Sequence, residues 1–134
     1  MEPETCVIDR WRTLLSRYNA VASALERALQ EEHALTLSDF ETLDRLAEAM
    51  ERPRMQELAA SMYLSQSALS RTVARLEKAG LVERIHCVAD RRGVVVELTE
   101  AGRQRHKEAR VTHLAVLSEH LADAEDRTGA QASF

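Results

Sequence analysis

Residues 55–98 read MQELAASMYLSQSALSRTVARLEKAGLVERIHCVADRRGVVVEL, and the apolar spacing changes partway through. Met55, Leu58 and Ala59 fall on one helical face, which predicts a short helix over residues 54–61. Met62, Tyr63 and Leu64 make a turn. Ser65 is a favourable N-cap, and Leu69, Val73 and Leu76 mark the inner face of a second helix ending at Lys78. Gly80 stands where a helix closes with a left-handed residue. Beyond it the period drops to two. Val82, Ile85, Cys87 and Val88 read as one strand, ADRRG at 89–93 as a polar turn, and VVVEL at 94–98 as a second strand. Helix, turn, helix and a hairpin with a cationic tip follow one another in that order.

On the N-terminal side, residues 4–32 carry Trp11, Leu14, Tyr18, Val21, Leu25 and Ala28 at alternating spacings of three and four. A stripe that regular predicts one long helix packed against a partner helix. Ser38 followed by Glu41 has capping-box spacing and opens a helix with Phe40, Leu43, Leu46, Ala47 and Met50 inward, which Pro53 ends. On the C-terminal side Thr99 caps a last long helix that runs to about His120 and spans 99–122 at most. Residues 123–134 are poor in apolar side chains and read as a frayed tail. The expected fold is therefore mainly α with a small β-hairpin. A winged helix-turn-helix lobe over 35–98 sits between long N- and C-terminal dimerisation helices, all in one domain.

The composition agrees. In 134 residues, 45% are hydrophobic but only 4% aromatic, so the core is aliphatic. Low Gly and Pro favour helices. No apolar run is long enough for a membrane span, and the MEPE start lacks a signal-peptide core, so the expected location is cytoplasmic, away from membranes. The net charge is −4, yet residues 52–92 hold eight basic and four acidic side chains. A basic middle between acidic ends is the charge pattern of a nucleic-acid surface on an acidic scaffold.

The layout has direct physical consequences. The major groove of duplex DNA admits one helix. The helix after Ser65 presents Ser65, Gln66, Ser67, Ser70 and Arg71 near its N-terminus, all able to read base edges or clamp phosphates. Arg54, at the start of the preceding helix, is a phosphate candidate. Arg91 and Arg92 at the hairpin tip can enter a minor groove, where negative potential concentrates. Asp90 beside them holds an arginine in place by a charge-assisted bond.

With ELA at 57–59, LEKAGLVER at 76–84, DRRG at 90–93 and LTEAGR at 98–103, the chain resembles the MarR family of bacterial regulators. The resemblance covers residues 35–110 strongly and the first helix loosely. It implies a homodimer with intertwined terminal helices on a palindromic double-stranded operator, one recognition helix per half-site. It also implies release by a small molecule, often phenolic or an aromatic acid, bound between dimer stem and DNA lobe. The Asp90 and Arg92 pairing matches the family's wing. The short, polar C-terminus departs from it, since relatives carry a further dimerisation helix there.

Trp11, Tyr18, Glu41, Arg75 and His113 are the candidate effector contacts, although the same aromatics serve equally as stem core. Two alternatives stand beside ligand control. One is oxidant sensing through Cys6, next to a helix N-terminus that favours thiolate but flanked by Glu2 and Glu4. The other is a winged-helix interaction module that has lost DNA binding. His106, His113 and His120 recur every seven residues, which sets neighbours about 10 Å apart, too far to share an ion from one helix. No metal, cofactor or catalytic activity is expected, because no nucleophile motif, phosphate loop or catalytic carboxylate pair stands out.

Overall fold

The computed structural model describes residues 3–86 and 93–132, with side chains as far as residue 122. Five helices and one hairpin follow in the order α1 (Glu4–His33), α2 (Leu37–Glu48), α3 (Met55–Ser61), α4 (Gln66–Lys78), β1 (Val82–His86), β2 (Val94–Leu98) and α5 (Glu100–Ala132). The helix-turn-helix order and the two-stranded hairpin match the expectation from spacing. Asp90, Arg91, Arg92 and Cys87 lie outside the described residues.

The core forms where α2, α3 and α4 meet the hairpin. Phe40, Leu43, Leu58, Leu69, Val73, Leu76 and Val96 are all essentially inaccessible there. Arg52 reaches Glu97 at 2.8 Å, which offsets the like charges that register places opposite each other at Glu83 and Glu97. Pro53 accepts from Val96 N at 3.2 Å and Arg54 bridges Val95. The free edge of β2 is thereby covered rather than left open for pairing.

The entry to α2 differs from the expected register. Thr36, not Ser38, is the N-cap: its Oγ1 accepts from Asp39 N at 3.0 Å, and Asp39 Oδ2 accepts from Thr36 N at 3.0 Å. Both TLSD and SDFE carry the capping spacing. The choice falls on Thr36 because Leu35 and Phe40 then occupy the staple positions on either side of the cap, and both are buried. We expect Thr36→Ala to lower stability by about 1 kcal/mol and Ser38→Ala to leave it nearly unchanged, measured by urea unfolding. Equal losses in the two variants count against this register.

At the hairpin root the chain closes on itself. Gly80 is left-handed with φ 79°. Thr99 Oγ1 donates to Gly80 O at 2.7 Å and accepts from Gly102 N at 3.0 Å, while Thr99 N donates to Leu81 O at 3.0 Å. Thr99 therefore caps α5, as its position in sequence suggests.

The long helices differ from expectation at one end. α5 continues to Ala132, beyond the His120 at which the sequence pattern ends, so the segment 123–134 expected to fray is helical as far as Ala132. Alanine, the strongest helix former, recurs there at positions 124, 130 and 132. In α1 only the C-terminal part packs: Leu25 and Leu29 are buried, whereas every described residue up to Ala20 is exposed. About 25 Å of amphipathic helix therefore projects from the lobe with its apolar stripe uncovered. Among the described residues, no helix is long and apolar enough to cross a membrane.

Candidate functional site

Two features of the lobe carry chemistry: the outward face of α4, and a cleft behind the turn that holds it. Ser65 caps α4, its Oγ accepting from Ala68 N at 3.1 Å. Ser65 is thus the N-cap that its position in sequence suggests. Gln66, Ser67 and Arg71 are exposed, and Ser70 is half-buried. Ser67 and Arg71 lie one turn apart on the same face. Arg84 of β1 donates to Ser70 O at 3.3 Å and lies 3.6 Å from Glu77, so the hairpin is bracketed to α4. Arg54 sits half-buried at the start of α3, 3.9 Å from Glu57. Tyr63 gave no signal in sequence. It occupies the turn before α4 with left-handed backbone, φ 56°, and a side chain 95% exposed. A bulky residue in that conformation is unusual and marks the turn as tightly constrained.

The cleft, of about 380 Å³, lies between α1, α2, the 62–65 turn and α5. Its walls are largely apolar, among them Val21, Leu25, Leu37 and Leu117, and Tyr18, Glu41 and Arg45 supply polar atoms. Met62 and Leu64 of the helix-turn-helix turn form one wall. Arg45 Nη1 lies 3.3 Å from Glu41 Oε2, and its Nη2 donates to Ser61 O at 3.4 Å. Glu41 Oε1 in turn lies 3.8 Å from His113 Nε2.

Of the five expected effector contacts, the structure brings together Tyr18, Glu41 and, behind Glu41, His113. Trp11 is not among them: two turns before Tyr18 on α1, it lies in the projecting half of the helix, 59% exposed. Arg75 is not either. It bonds Asp39 Oδ1 at 2.9 Å and Thr72 Oγ1 at 3.4 Å, tying α4 to the α2 cap, because Asp39 is buried and needs a cation. Arg45, which carries no distinguishing signal in sequence, takes the position in the cleft expected of Arg75.

His106 and His113 both stack on Phe40, with ring centroids 5.6 and 4.3 Å away. His106 Nε2 lies 2.8 Å from Asp44 Oδ1, which places its proton on Nε2. The seven-residue spacing thus puts two imidazoles on one α2 phenyl ring, and among the described residues no metal-ligand cluster forms. Burial pushes the His113 pKa below 6.5, outweighing the opposing pull of Glu41 and Asp44. The unfolded chain takes up this proton near pH 6.5, whereas the folded chain does so only at lower pH. His113 therefore subtracts stability progressively as pH falls below 6.5. Cys6 is exposed on α1.

The MarR family model matches residues 35–94. AbsC, a MarR family transcriptional regulator from Streptomyces coelicolor, is 35% identical, the match covering 99% of this chain and 90% of that one with a TM-score of 0.82. Sco3205, a MarR family regulator from the same organism solved in complex with DNA, is 27% identical over 99% of this chain and 86% of that one, TM-score 0.85. CouR from Rhodococcus jostii RHA1, solved bound to p-coumaroyl-CoA, is 29% identical over 90% of this chain and 84% of that one, TM-score 0.74. No curated protein matches the sequence.

Proposed function

The chain belongs to the MarR family, and on that footing we propose that it is a homodimeric DNA-binding transcriptional repressor, released from a palindromic operator by a small phenol or aromatic acid. The observation that carries this reading is the placement of the cleft. Its wall is the turn that positions α4, so an occupant presses directly on the helix that reads DNA. Arg45 adds a second link, since it joins the cleft to the C-terminal carbonyl of α3. The bound ligand of CouR and the bound DNA of Sco3205 support both halves.

The dimer is supported by the uncovered stripe. Val7, Trp11, Leu14 and Tyr18 on α1, with Val111 and Leu114 on α5, are exposed apolar residues on the two terminal helices. A patch of that extent on a single chain is the mark of an interface. Gln66, Ser67, Ser70 and Arg71 face the major groove, with the Ser65 hydroxyl at its edge. Arg54 holds a phosphate. Arg91 and Arg92 serve the wing, oriented by Asp90.

The test is fluorescence anisotropy on DNA from upstream of the protein's own coding sequence, at two salt concentrations. Arg71→Ala is expected to weaken operator binding by about 1–3 kcal/mol and to flatten discrimination against mismatched sites. Arg92→Ala weakens all sequences alike and lowers the salt slope by about one. Unchanged affinity in both variants overturns these assignments. A wild-type protein with no salt-dependent binding overturns the DNA-binding reading itself and favours an interaction module.

A further inference from the structure

Resting on the reading of the cleft as an effector site, we infer that Arg45 is the receptor for a carboxylate on the effector, and that Glu41 passes from Arg45 to His113 as the ligand enters, drawing in a proton. Arg45 is the one cation among the described residues lining the cleft, and the walls around it fit an apolar body. Its bonds to Glu41 and Ser61 O, at 3.3 and 3.4 Å, are longer than the usual charge-assisted contact. Both partners are about one-third exposed, so the pair is held weakly and can be exchanged.

The apo pair is neutral as a whole. A neutral ligand has to separate it without replacing either charge. A cation would have to displace Arg45, which also holds α3. A carboxylate replaces Glu41 in kind and leaves the tie to Ser61 in place. The released Glu41 carboxylate then needs a counter-charge, and His113 is already 3.8 Å from its other oxygen. The charges acting on His113 are Glu41 and Asp44 on α2 and Arg110 and His106 on α5. From α1, His33 bonds Thr112, the residue before His113 in the chain, at 2.7 Å. Burial keeps His113 neutral in the empty protein, and the full approach of Glu41 reverses that balance. The site thus takes up an anion and a proton together, and its net charge is unchanged.

Calorimetric titration of the full chain with cinnamate, cinnamamide and cinnamylamine tests this. The three share one aryl body and differ in charge. Titrations at about pH 6 and about pH 8, in buffers of different ionisation enthalpy, report proton uptake. Cinnamate is expected to bind at least about tenfold more tightly than the other two, and about tenfold more tightly at the lower pH, with net proton uptake. Arg45→Gln removes the preference for cinnamate, and Arg45→Lys restores part of it. Glu41→Gln tightens cinnamate binding and removes its pH dependence, a gain that loss of folding cannot imitate. Equal affinity for cinnamate and cinnamamide, or cinnamate binding indifferent to Arg45→Gln, overturns the inference and leaves the cleft as an effector site. Failure of all three ligands to bind overturns both.

Discussion

Gly102→Ala is expected to lower stability by about 3 kcal/mol and the melting temperature by about 10 °C. Two effects oppose each other at this position. Alanine is the better helix former, by about 1 kcal/mol in a helix interior. Gly102, however, lies in the first turn of α5 directly against the hairpin root. A Cβ added there collides with the Leu81 carbonyl oxygen and comes within 3.2 Å of Leu98 Cδ2. The obstacle is backbone, held by Thr99 N at 3.0 Å, and cannot swing aside as a side chain would. Relief requires α5 to lift away from Leu81, which also pulls Thr99 off Gly80 and loosens the hairpin against α4. The steric term therefore exceeds the propensity term. Thermal unfolding followed by circular dichroism measures the balance, and a melting temperature at or above that of the wild type shows the contact to be wrong.

The other large effect belongs to Phe40. Phe40→Ala is expected to destabilise the chain by about 3–5 kcal/mol, the range for removing a large aromatic from a tightly packed core. Phe40 is 0% exposed, forms the inner half of the staple with Leu35, and carries both imidazoles of α5 on its ring. Its loss leaves a cavity at the junction of lobe and stem, with His106 and His113 lining it. Phe40→Leu keeps most of the volume and loses markedly less. Urea unfolding distinguishes them, and a loss below about 1 kcal/mol for the alanine variant contradicts the packing described. Because Glu41 and Asp44 flank Phe40 on α2, the leucine variant also loosens the His113 contact and weakens the pH response of ligand binding.

Phe40 illustrates how far the sequence reaches. Its place on the inner face of α2 is legible from spacing with Leu43 and Leu46. Its imidazole partners are not, because they come from α5, far along the chain. The same division runs through the candidate site. The exposed face of α4 is legible: Ser65 is a capping residue, apolar positions fix which side is buried, and Gln66, Ser67 and Arg71 are left on the other. The cleft is not, because four separate segments build it. Arg45 and Arg75 look alike in sequence, each an arginine on a predicted helix. Only packing separates them, setting Asp39 beneath Arg75 and the cleft beside Arg45.

The stretch 55–99 by itself determines the order helix, turn, helix, hairpin, and with it the caps at Ser65 and Thr99 and the left-handed residue at Gly80. Each of these depends on hydrogen bonds and steric limits spanning a few residues, or on a periodicity written directly in the chain. The tertiary structure alone decides which of two capping boxes opens α2, which arginine faces the cleft, and that the first half of α1 is left without a covering surface. Those outcomes turn on which apolar and charged groups from distant segments meet, and burial settles them: a stapled Leu35, a desolvated Asp39 and a His113 enclosed against Phe40.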